Sequence, residues 1–359
     1  MLRVALGLDS LDKDAICHIM AKQLQAIIVG CGAMSSEWIK SAQELGVQIV
    51  SLVDLNPESA QKQAAAFQLK ALIFDNLDEA IERLPAQLLF DCTIPAAHLE
   101  VNLKGLSNGL HILEEKPLAT NLADAKQLTE LAQKNGLAHV VMQNRRFCPG
   151  IRKIRRLLDL GIIGELTNIA VDFFVPAHFG GFREKMDHVL LTDMAIHHFD
   201  AARFITRANA KTVYCEEWNP KGSWWQHGAS ANAIFQMDKE IRFSFRGSWC
   251  AEGLRTSWNG VWRIIGTQGT IVWDGLDDVR GERVKVPEGF FYEQEPLNVR
   301  EEPDPAVTRG HFSVMRQFLR EVTEGIPAET RSADNLQSLA MVLAAIESSD
   351  AKQMVPVKV

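Results

Sequence analysis

Residues 26–35 read Ala-Ile-Ile-Val-Gly-Cys-Gly-Ala-Met-Ser, an apolar strand that runs directly into a glycine-rich turn. A helical stretch ending near Leu45 follows this turn. In a dinucleotide site the first glycine permits a tight turn, the second lets the backbone approach a pyrophosphate, and the helix N-terminus presents free N–H groups to the anion. Gly30 and Gly32 supply the two glycines, and Ser35 stands in place of the third. The loop therefore predicts a dinucleotide-binding site.

A second feature of such a site follows at the expected distance. Asp54 ends the second apolar run, 54 − 32 = 22 residues after Gly32, close to the roughly 20 expected for the acidic residue that holds the adenosine ribose. The alternative is a glycine turn plus an Asp that caps the helix after Pro57. Leu55, Asn56 and Pro57 offer no cation for a 2′-phosphate. We therefore expect NAD to be favoured over NADP.

The first half of the chain alternates short apolar runs with amphipathic stretches. Amphipathic stretches with apolar spacing near 3.6 predict helices, and Asn121 is expected to cap the last of them. Repeated alternation of strand and helix indicates a doubly wound parallel sheet. The predicted strands are Leu24–Val29, Val47–Val53, Leu88–Cys92, His111–Leu113 and Ala138–Met142, and the predicted helices are Ala60–Phe67, Ala96–Leu106 and Asn121–Lys134.

The composition of the chain changes after Pro149. Seven of the eight tryptophans lie between Trp218 and Trp273, and we expect most of them in a sheet core and interface. Residues 241–249 alternate apolar and polar side chains, which predicts a strand with one buried and one exposed face. We therefore predict an α/β protein with three segments: an N-terminal extension of residues 1–22, a Rossmann domain of residues 23–145, and a C-terminal α/β domain of residues 146–359. The second domain is expected to contain an open, mainly antiparallel sheet, a helix Ile151–Leu160, a final helical pair Phe312–Glu324 and Asp334–Ser348, and a strand Val355–Val359.

Composition excludes several other classes of protein. The 359 residues are 47% hydrophobic, and 38 Lys+Arg against 45 Asp+Glu give a net charge of −7. This balance does not draw the chain to nucleic acid, and no apolar run approaches the length of a membrane span. Six scattered cysteines without a C-x-x-C pair predict neither disulfides nor a cysteine zinc site. A cytoplasmic protein is the expectation.

Three further motifs resemble the Gfo/Idh/MocA oxidoreductases. They are Glu114-Glu115-Lys116-Pro117, Thr93-Ile94-Pro95 with His98, and Asp193-Met194-Ala195-Ile196-His197. The resemblance implies NAD-dependent oxidation of a secondary hydroxyl on a sugar, polyol or related cyclic substrate, or the reverse reduction, by a homodimer or homotetramer that associates through the C-terminal sheet. It implies Lys116, Asp193 and His197 as the catalytic residues. The implied cofactor-binding residues are Gly30, Gly32, Ala33, Met34, Asp54, Thr93, Pro95, His98, Glu115, Lys116 and Asn144.

The chain departs from the family pattern around the Asp-x-x-x-His motif. Val189, Leu190 and Leu191 lie where a glycine pair is common, and Ala195 takes the place of a glycine. These changes alter the walls of the site more than its chemistry.

The residues of this motif also predict chemistry by themselves. Asp193 and His197 are spaced i, i+4, which on a helix places both side chains on one face. His197 is the expected base for the hydroxyl proton and Asp193 the residue that orients it. Lys116 either stabilises the developing alkoxide or shares the proton transfer. The alternatives for the Asp–His pair are a half-buried structural histidine, or a metal site completed by His178, His188 or His198; no metal is our expectation.

Two polar residues follow the last predicted strand of the first domain. Asn144 and Arg146 fall on the same side where that strand ends, and ligands bind at the carboxyl ends of such strands. We expect Asn144 to contact the cofactor and Arg146 the substrate, with an interdomain salt bridge as the alternative for Arg146. Two other functions stay open, a cofactor-binding regulator without turnover and a glycosidase that uses bound NAD transiently.

Overall fold

A computed structural model describes residues 24–299 and 307–359, which leaves the predicted extension of residues 1–22 outside the described part. The chain forms two compact units. The strands are β1 Gln25–Val29, β2 Gln48–Val53, β3 Leu72–Phe74, β4 Leu88–Asp91, β5 His111–Glu114, β6 His139–Val141, β7 Leu166–Phe174, β8 Ala210–Trp218, β9 Ser230–Met237, β10 Arg242–Ser248, β11 Val261–Gly266, β12 Gly269–Trp273, β13 Val279–Val286, β14 Glu293–Pro296 and β15 Val355–Pro356. The α-helices are α1 Ser35–Glu44, α2 Pro57–Ala66, α3 Leu77–Arg83, α4 His98–Ser107, α5 Leu122–Lys134, α6 Pro149–Asp159, α7 Ile196–Thr206, α8 His311–Glu324 and α9 Ser332–Ala351.

The first unit contains a six-stranded parallel sheet in the order β3-β2-β1-β4-β5-β6. The two central strands, β1 and β4, are apolar except at one end, where Gln25 begins β1 and Asp91 ends β4, because helices cover both faces of a doubly wound sheet. The Asn121 side chain accepts a hydrogen bond from the backbone N–H of Asp124 and caps α5. The fold class predicted from the sequence is confirmed.

The domain division differs from the one predicted from the sequence. Residues 311–336 belong to the first unit, which otherwise ends at Gln143, and the second unit contains residues 144–310 and 337–359. Helix α8 joins the first unit because its apolar face packs there: the rings of Phe318 and Phe90 meet edge to face, 6.2 Å apart. The backbone of Arg331 also forms an isolated antiparallel β-bridge with Val140 of β6.

The second unit contains a nine-stranded sheet in the order β14-β13-β12-β11-β7-β10-β9-β8-β15. All neighbouring strands are antiparallel except β7 and β10. The predicted alternation along β10 is confirmed for Phe243 and Phe245, which are fully buried, and for the exposed Arg242 and Arg246. Ser248 is an exception, since it is buried and accepts a hydrogen bond from the hydroxyl of Ser230.

The tryptophans of the second unit contribute mainly to its core. The side chains of Trp225, Trp249, Trp262 and Trp273 are buried, whereas Trp218 and Trp258 are partly exposed. Among the described helices, none combines the length and the hydropathy that a membrane span requires.

Candidate active site

The glycine-rich loop has the geometry of an anion cradle. Gly30 has a φ of +85°, and a Cβ at this position would lie 2.7 Å from the backbone carbonyl carbon of Cys92, so only glycine fits. The N–H of Gly30 donates to the Val53 carbonyl over 2.8 Å. A Cβ on Gly32 would meet no atom within 4 Å. The loop is therefore fixed on the Gly30 side and open on the Gly32 side, where a pyrophosphate would approach.

Ser35 closes this loop in place of a third glycine. Its hydroxyl is fully buried and donates to the Gly32 carbonyl over 2.7 Å. Ala33 and Met34 form the turn that leads into α1 and accept the backbone hydrogen bonds that begin the helix. The substitution therefore keeps the N-terminus of α1 directed at the loop.

Asp54 follows β2 and organises the same loop. Its Oδ2 accepts the backbone N–H of Cys31 over 2.7 Å, and its Oδ1 accepts the N–H of Asn56 over 2.8 Å. A carboxylate has about four acceptor positions, so both oxygens keep capacity for ribose hydroxyls. Burial, with a smaller contribution from Asp54, raises the pKa of the Cys31 thiol to about 12, and this thiol stays neutral beside the loop.

A cavity of about 750 Å³ opens next to Asp54 within the first unit. Asp75, Asp78 and Glu100 add three carboxylates to its lining, and Lys104 is a basic lining residue. The Lys104 ammonium lies 3.0 Å from Asp78 and 3.1 Å from Glu100. The glycine cradle and this cavity suit a dinucleotide, and the described lining carries more carboxylates than ammonium groups.

The ends of β4 and β5 carry the next group of predicted cofactor residues. Both the N–H and the hydroxyl of Thr93 donate to Asp91 Oδ1, over 2.9 and 2.6 Å. Glu115 accepts the indole N–H of Trp38 over 2.8 Å. Lys116 follows Glu115 directly, and Pro95 begins the short turn that leads into α4. Because β4 and β5 are parallel neighbours, their carboxyl ends bring these segments to one edge of the sheet.

His98 differs from its neighbours because its ring is fully buried. Its Nδ1 lies 2.8 Å from the carbonyl oxygen of Pro117, and its Nε2 lies 3.3 Å from that of Thr93. The side chain thus contacts the backbone of two predicted cofactor segments.

In the second unit, Asp193 lies on a π-helical turn, Leu190–Ala195, that continues directly into α7. The sequence predicted an ordinary α-helical spacing for Asp193 and His197; instead the helix type changes between them. Such π-turns recur at functional sites. Both residues lie on one continuous helical segment, and the His197 side chain is buried.

Arg183 is a residue near Asp193 that the sequence analysis missed. Its Nε lies 3.4 Å from Asp193 Oδ2. The guanidinium also lies over the rings of Phe179 and Phe182, 5.3 and 5.0 Å from their centres, a cation–π arrangement that holds it in place. Arg183 lies ten positions before Asp193 in the sequence, and no helical spacing relates them.

The histidines of the metal-site alternative contact other groups. His178 lies 3.0 Å from Glu252 and stacks on Trp224, and His188 lies 2.5 Å from Glu217. The ring of His198 is buried among aromatic rings, including Phe173, 5.0 Å away. Burial, followed by the charge of Arg145, lowers the pKa of His198 to about 3. The contacts of the three histidines are with these other residues, and none of these contacts joins them to Asp193 and His197 as a set of metal ligands.

Arg146 is held inside the second unit. Its Nε and Nη2 donate to the two carboxylate oxygens of Asp200, each over 2.7 Å, and both side chains are buried. Asp200 belongs to the same unit, so this ion pair lies within the second unit. Contact of Arg146 with the substrate stays a prediction. Asn144 begins the turn Asn144–Phe147 that holds Arg146.

Comparisons with known proteins agree with both sheets. Residues 24–143 match the Gfo/Idh/MocA model described as an oxidoreductase family with an NAD-binding Rossmann fold, and residues 151–272 match the C-terminal domain model of that family. The chain is 26% identical to the uncharacterized protein y4oX of Sinorhizobium fredii, over 92% of this chain and 94% of that protein. It is 29% identical to an inositol 2-dehydrogenase of Corynebacterium glutamicum, over 60% of this chain and 63% of the enzyme.

Among solved structures, an oxidoreductase from Agrobacterium radiobacter in complex with NAD⁺, L-tartaric acid and magnesium superposes with a TM-score of 0.82 at 19% identity. The match covers 93% of this chain and 98% of the other. This similarity concerns the fold. Since the two family models together span residues of both units, the protein belongs to the Gfo/Idh/MocA family of oxidoreductases.

Proposed function

We propose that this protein is an NAD-preferring dehydrogenase that interconverts a secondary hydroxyl and a carbonyl on a sugar, polyol or related cyclic substrate. The observation that carries the proposal is Asp54, which braces the glycine loop through Cys31 and lines the acidic cavity. The inositol 2-dehydrogenase relative supports the substrate class. NAD, when bound, accepts the hydride that leaves the carbinol carbon.

The chain's own residues then handle the proton and the charge. Gly30, Gly32 and the N-terminus of α1 hold the pyrophosphate, and Asp54 accepts hydrogen bonds from the ribose. As the C–H electron pair leaves carbon, an imidazole nitrogen of His197 takes the hydroxyl proton, and Asp193, four residues earlier in the chain, orients the ring. The Lys116 ammonium donates a hydrogen bond to the same oxygen and stabilises negative charge on it.

The test is a screen of inositols, other polyols and aldoses with NAD⁺ and NADP⁺, followed by absorbance of the reduced cofactor. His197→Ala and Lys116→Ala should each lower kcat by about 10²–10⁴ and leave NADH affinity nearly unchanged. His227→Ala, an exposed histidine of the second unit, is the matched control and should retain turnover. A turnover rate close to that of the parent protein in either site variant would refute the assignment. Sugar release without net NADH, or cofactor binding without turnover, would favour the glycosidase or the regulator.

We also propose self-association through the exposed face of the nine-stranded sheet. Tyr214 and Ile234, paired across β8 and β9, are 44% and 55% exposed on this face. Arg242 and Arg246 on β10 share it, and Arg246 pairs with Asp172. Apolar and charged groups together predict a mixed contact. Light scattering should show a dimer or tetramer, and Ile234→Lys should weaken this association. A parent protein that is monomeric at micromolar concentration would refute the proposed self-association.

A cytoplasmic location is proposed from the cysteines. The five in the described residues, Cys31, Cys92, Cys148, Cys215 and Cys250, are free thiols, which is the usual state in a reducing compartment.

A further inference from the structure

Asp91, His98 and Glu114 form a buried cluster within the first unit. Asp91 ends β4, His98 begins α4, Glu114 ends β5, and all three side chains are fully buried. Potential ligand atoms of the three lie within 4.8 Å of one another. Two carboxyl groups removed from water require protons or a nearby positive charge, so the state of His98 determines how this cluster is stabilised.

The ring contacts of His98 define its charge. Nδ1 lies 2.8 Å from the Pro117 carbonyl oxygen and Nε2 lies 3.3 Å from the Thr93 carbonyl oxygen. A carbonyl oxygen only accepts hydrogen bonds, so both nitrogens donate only if both carry hydrogen. Such a ring is an imidazolium cation. Burial alone lowers the pKa of His98, whereas the charge of Asp91 and the hydrogen bonds to the two carbonyls act in the opposite direction, and the pKa is raised.

The same contacts argue against a metal ion in the cluster. A histidine binds a metal through the lone pair of an unprotonated ring nitrogen. Both nitrogens of His98 already face carbonyl acceptors, and a metal would have to displace one of them. A buried ion cluster accounts for the geometry without that change.

The two acidic residues have different partners. Asp91 lies beside Thr93, whose N–H and hydroxyl both donate to its Oδ1; these donors favour an ionised carboxylate. Glu114 accepts one hydrogen bond from Asn102 Nδ2, and its other oxygen lies 2.9 Å from Nε2 of His139. Burial raises the pKa of Asp91, raises that of Glu114 well above its usual range, and lowers that of His139 to about 4. Asp91 is therefore the counter-charge of His98, and Glu114 stays neutral.

We propose that His98 is a buried cation that acts as a positioning residue, fixing Thr93 and the Lys116–Pro117 segment of the cofactor site while Asp91 balances its charge. Asp91 and His98 hold Thr93 from both sides, one through its N–H and hydroxyl and the other through its carbonyl. Pro117, whose carbonyl His98 also holds, directly follows Lys116. The charge of His98 does not depend on the proposed function. The positioning role of His98 at the cofactor site does rest on the proposed function.

The charge is tested by NMR of ¹⁵N-histidine-labelled, cofactor-free protein, with His98→Gln to assign the signal. Both His98 nitrogens should be protonated at pH 7.5. In Asp91→Asn, loss of the counter-charge should move the deprotonation of His98 down by at least about one pH unit. Glu114→Gln is the matched control, because an amide replaces a neutral carboxyl, and it should shift the titration by less than about half a unit. A neutral ring in the parent protein at pH 7.5 would overturn the proposal.

The positioning role is tested on the same variants by NADH titration and by pH profiles of turnover. His98→Gln should lower NADH affinity or kcat at least about tenfold. The activity of Asp91→Asn should fall as the pH rises, with the same midpoint as the deprotonation of His98 that NMR measures in that variant. Glu114→Gln should follow the parent. A charged His98 with parental behaviour in His98→Gln overturns the positioning role and leaves the dehydrogenase assignment intact. A parent protein that binds neither NAD nor NADP refutes the proposed function, and the NMR result still decides the charge.

Discussion

Arg146 and Asp200 form a two-point ion pair in the interior of the second unit, with Nε–Oδ2 and Nη2–Oδ1 each 2.7 Å apart. The hydroxyl of Ser338 also donates to Asp200, over 2.7 Å. Asp200 lies on α7, three residues after His197. The pair therefore ties the helix that carries the candidate base to the turn that begins at Asn144.

Breaking this pair should destabilise the second unit. Arg146→Met removes the two-point partner of the buried Asp200 carboxylate, and Arg203, 3.9 Å from its Oδ1, is too distant to replace these hydrogen bonds. We expect a loss of about 3–5 kcal/mol in the free energy of unfolding, with kcat also reduced. Arg246→Met, which breaks the exposed pair with Asp172, should cost less than about 1 kcal/mol. Chemical denaturation of both variants measures the difference. Equal stability of the two would mean that the buried pair contributes no more than a surface pair.

The two loop glycines should respond differently to alanine. Gly30→Ala forces a methyl group against the Cys92 backbone at a φ of +85°, and we expect about 1–3 kcal/mol of destabilisation. Gly32→Ala meets no protein atom within 4 Å and should fold like the parent. It should nevertheless lose at least about tenfold in NADH affinity, because its methyl group would occupy the approach of the pyrophosphate. Parental NADH affinity in Gly32→Ala would place the pyrophosphate elsewhere.

His198 should make the protein sensitive to acid. Its folded pKa is lowered to about 3, chiefly by burial, against about 6.5 in an unfolded chain. A neutral buried histidine contributes stability that is present above pH 6.5 and is lost as the pH falls toward 3, because only the unfolded state takes up the proton. Between pH 7 and 5 the parent should lose about 2 kcal/mol more than His198→Leu.

Denaturant titrations at several pH values measure this difference. His227→Gln, which removes an exposed histidine of the same unit, controls for the loss of an imidazole. A parallel pH dependence in the parent protein and in His198→Leu would contradict the assignment of a neutral, buried His198.

The sequence predicted most of the sheet of the first unit, because five of its strands are apolar runs between amphipathic helices. It missed β3, a three-residue strand at the sheet edge, since so short a run carries no detectable period. It also assigned α8 to the second domain. The periodicity of α8 predicts that Phe318 is buried, but it does not indicate in which unit. The ring that Phe318 contacts belongs to Phe90, which lies 318 − 90 = 228 residues earlier in the chain.

The candidate site likewise contains residues that the sequence pattern indicates and residues that only the tertiary structure reveals. Gly30, Gly32 and Asp54 could be proposed from the sequence because a dinucleotide site fixes the spacing of such residues along the chain. Arg183 and Asp91 were not, since their contacts with Asp193 and Thr93 depend on how loops fold. The change to a π-turn before His197 also left no mark in the apolar pattern of residues 190–195.

The proposed preference for NAD depends on the carboxylate of Asp54. Like charges about 4 Å apart at an effective dielectric near 20 repel by about 4 kcal/mol, a penalty that NADPH would meet at its 2′-phosphate and that solvent reduces. The direct measurement is equilibrium binding of NADH and NADPH to the parent protein and to Asp54→Ala, which requires no substrate. We predict that the parent binds NADH at least about a hundredfold more tightly, about 2.7 kcal/mol, and that Asp54→Ala narrows the gap chiefly by improving NADPH. Equal affinity of the parent protein for the two cofactors would mean that Asp54 is not the ribose ligand.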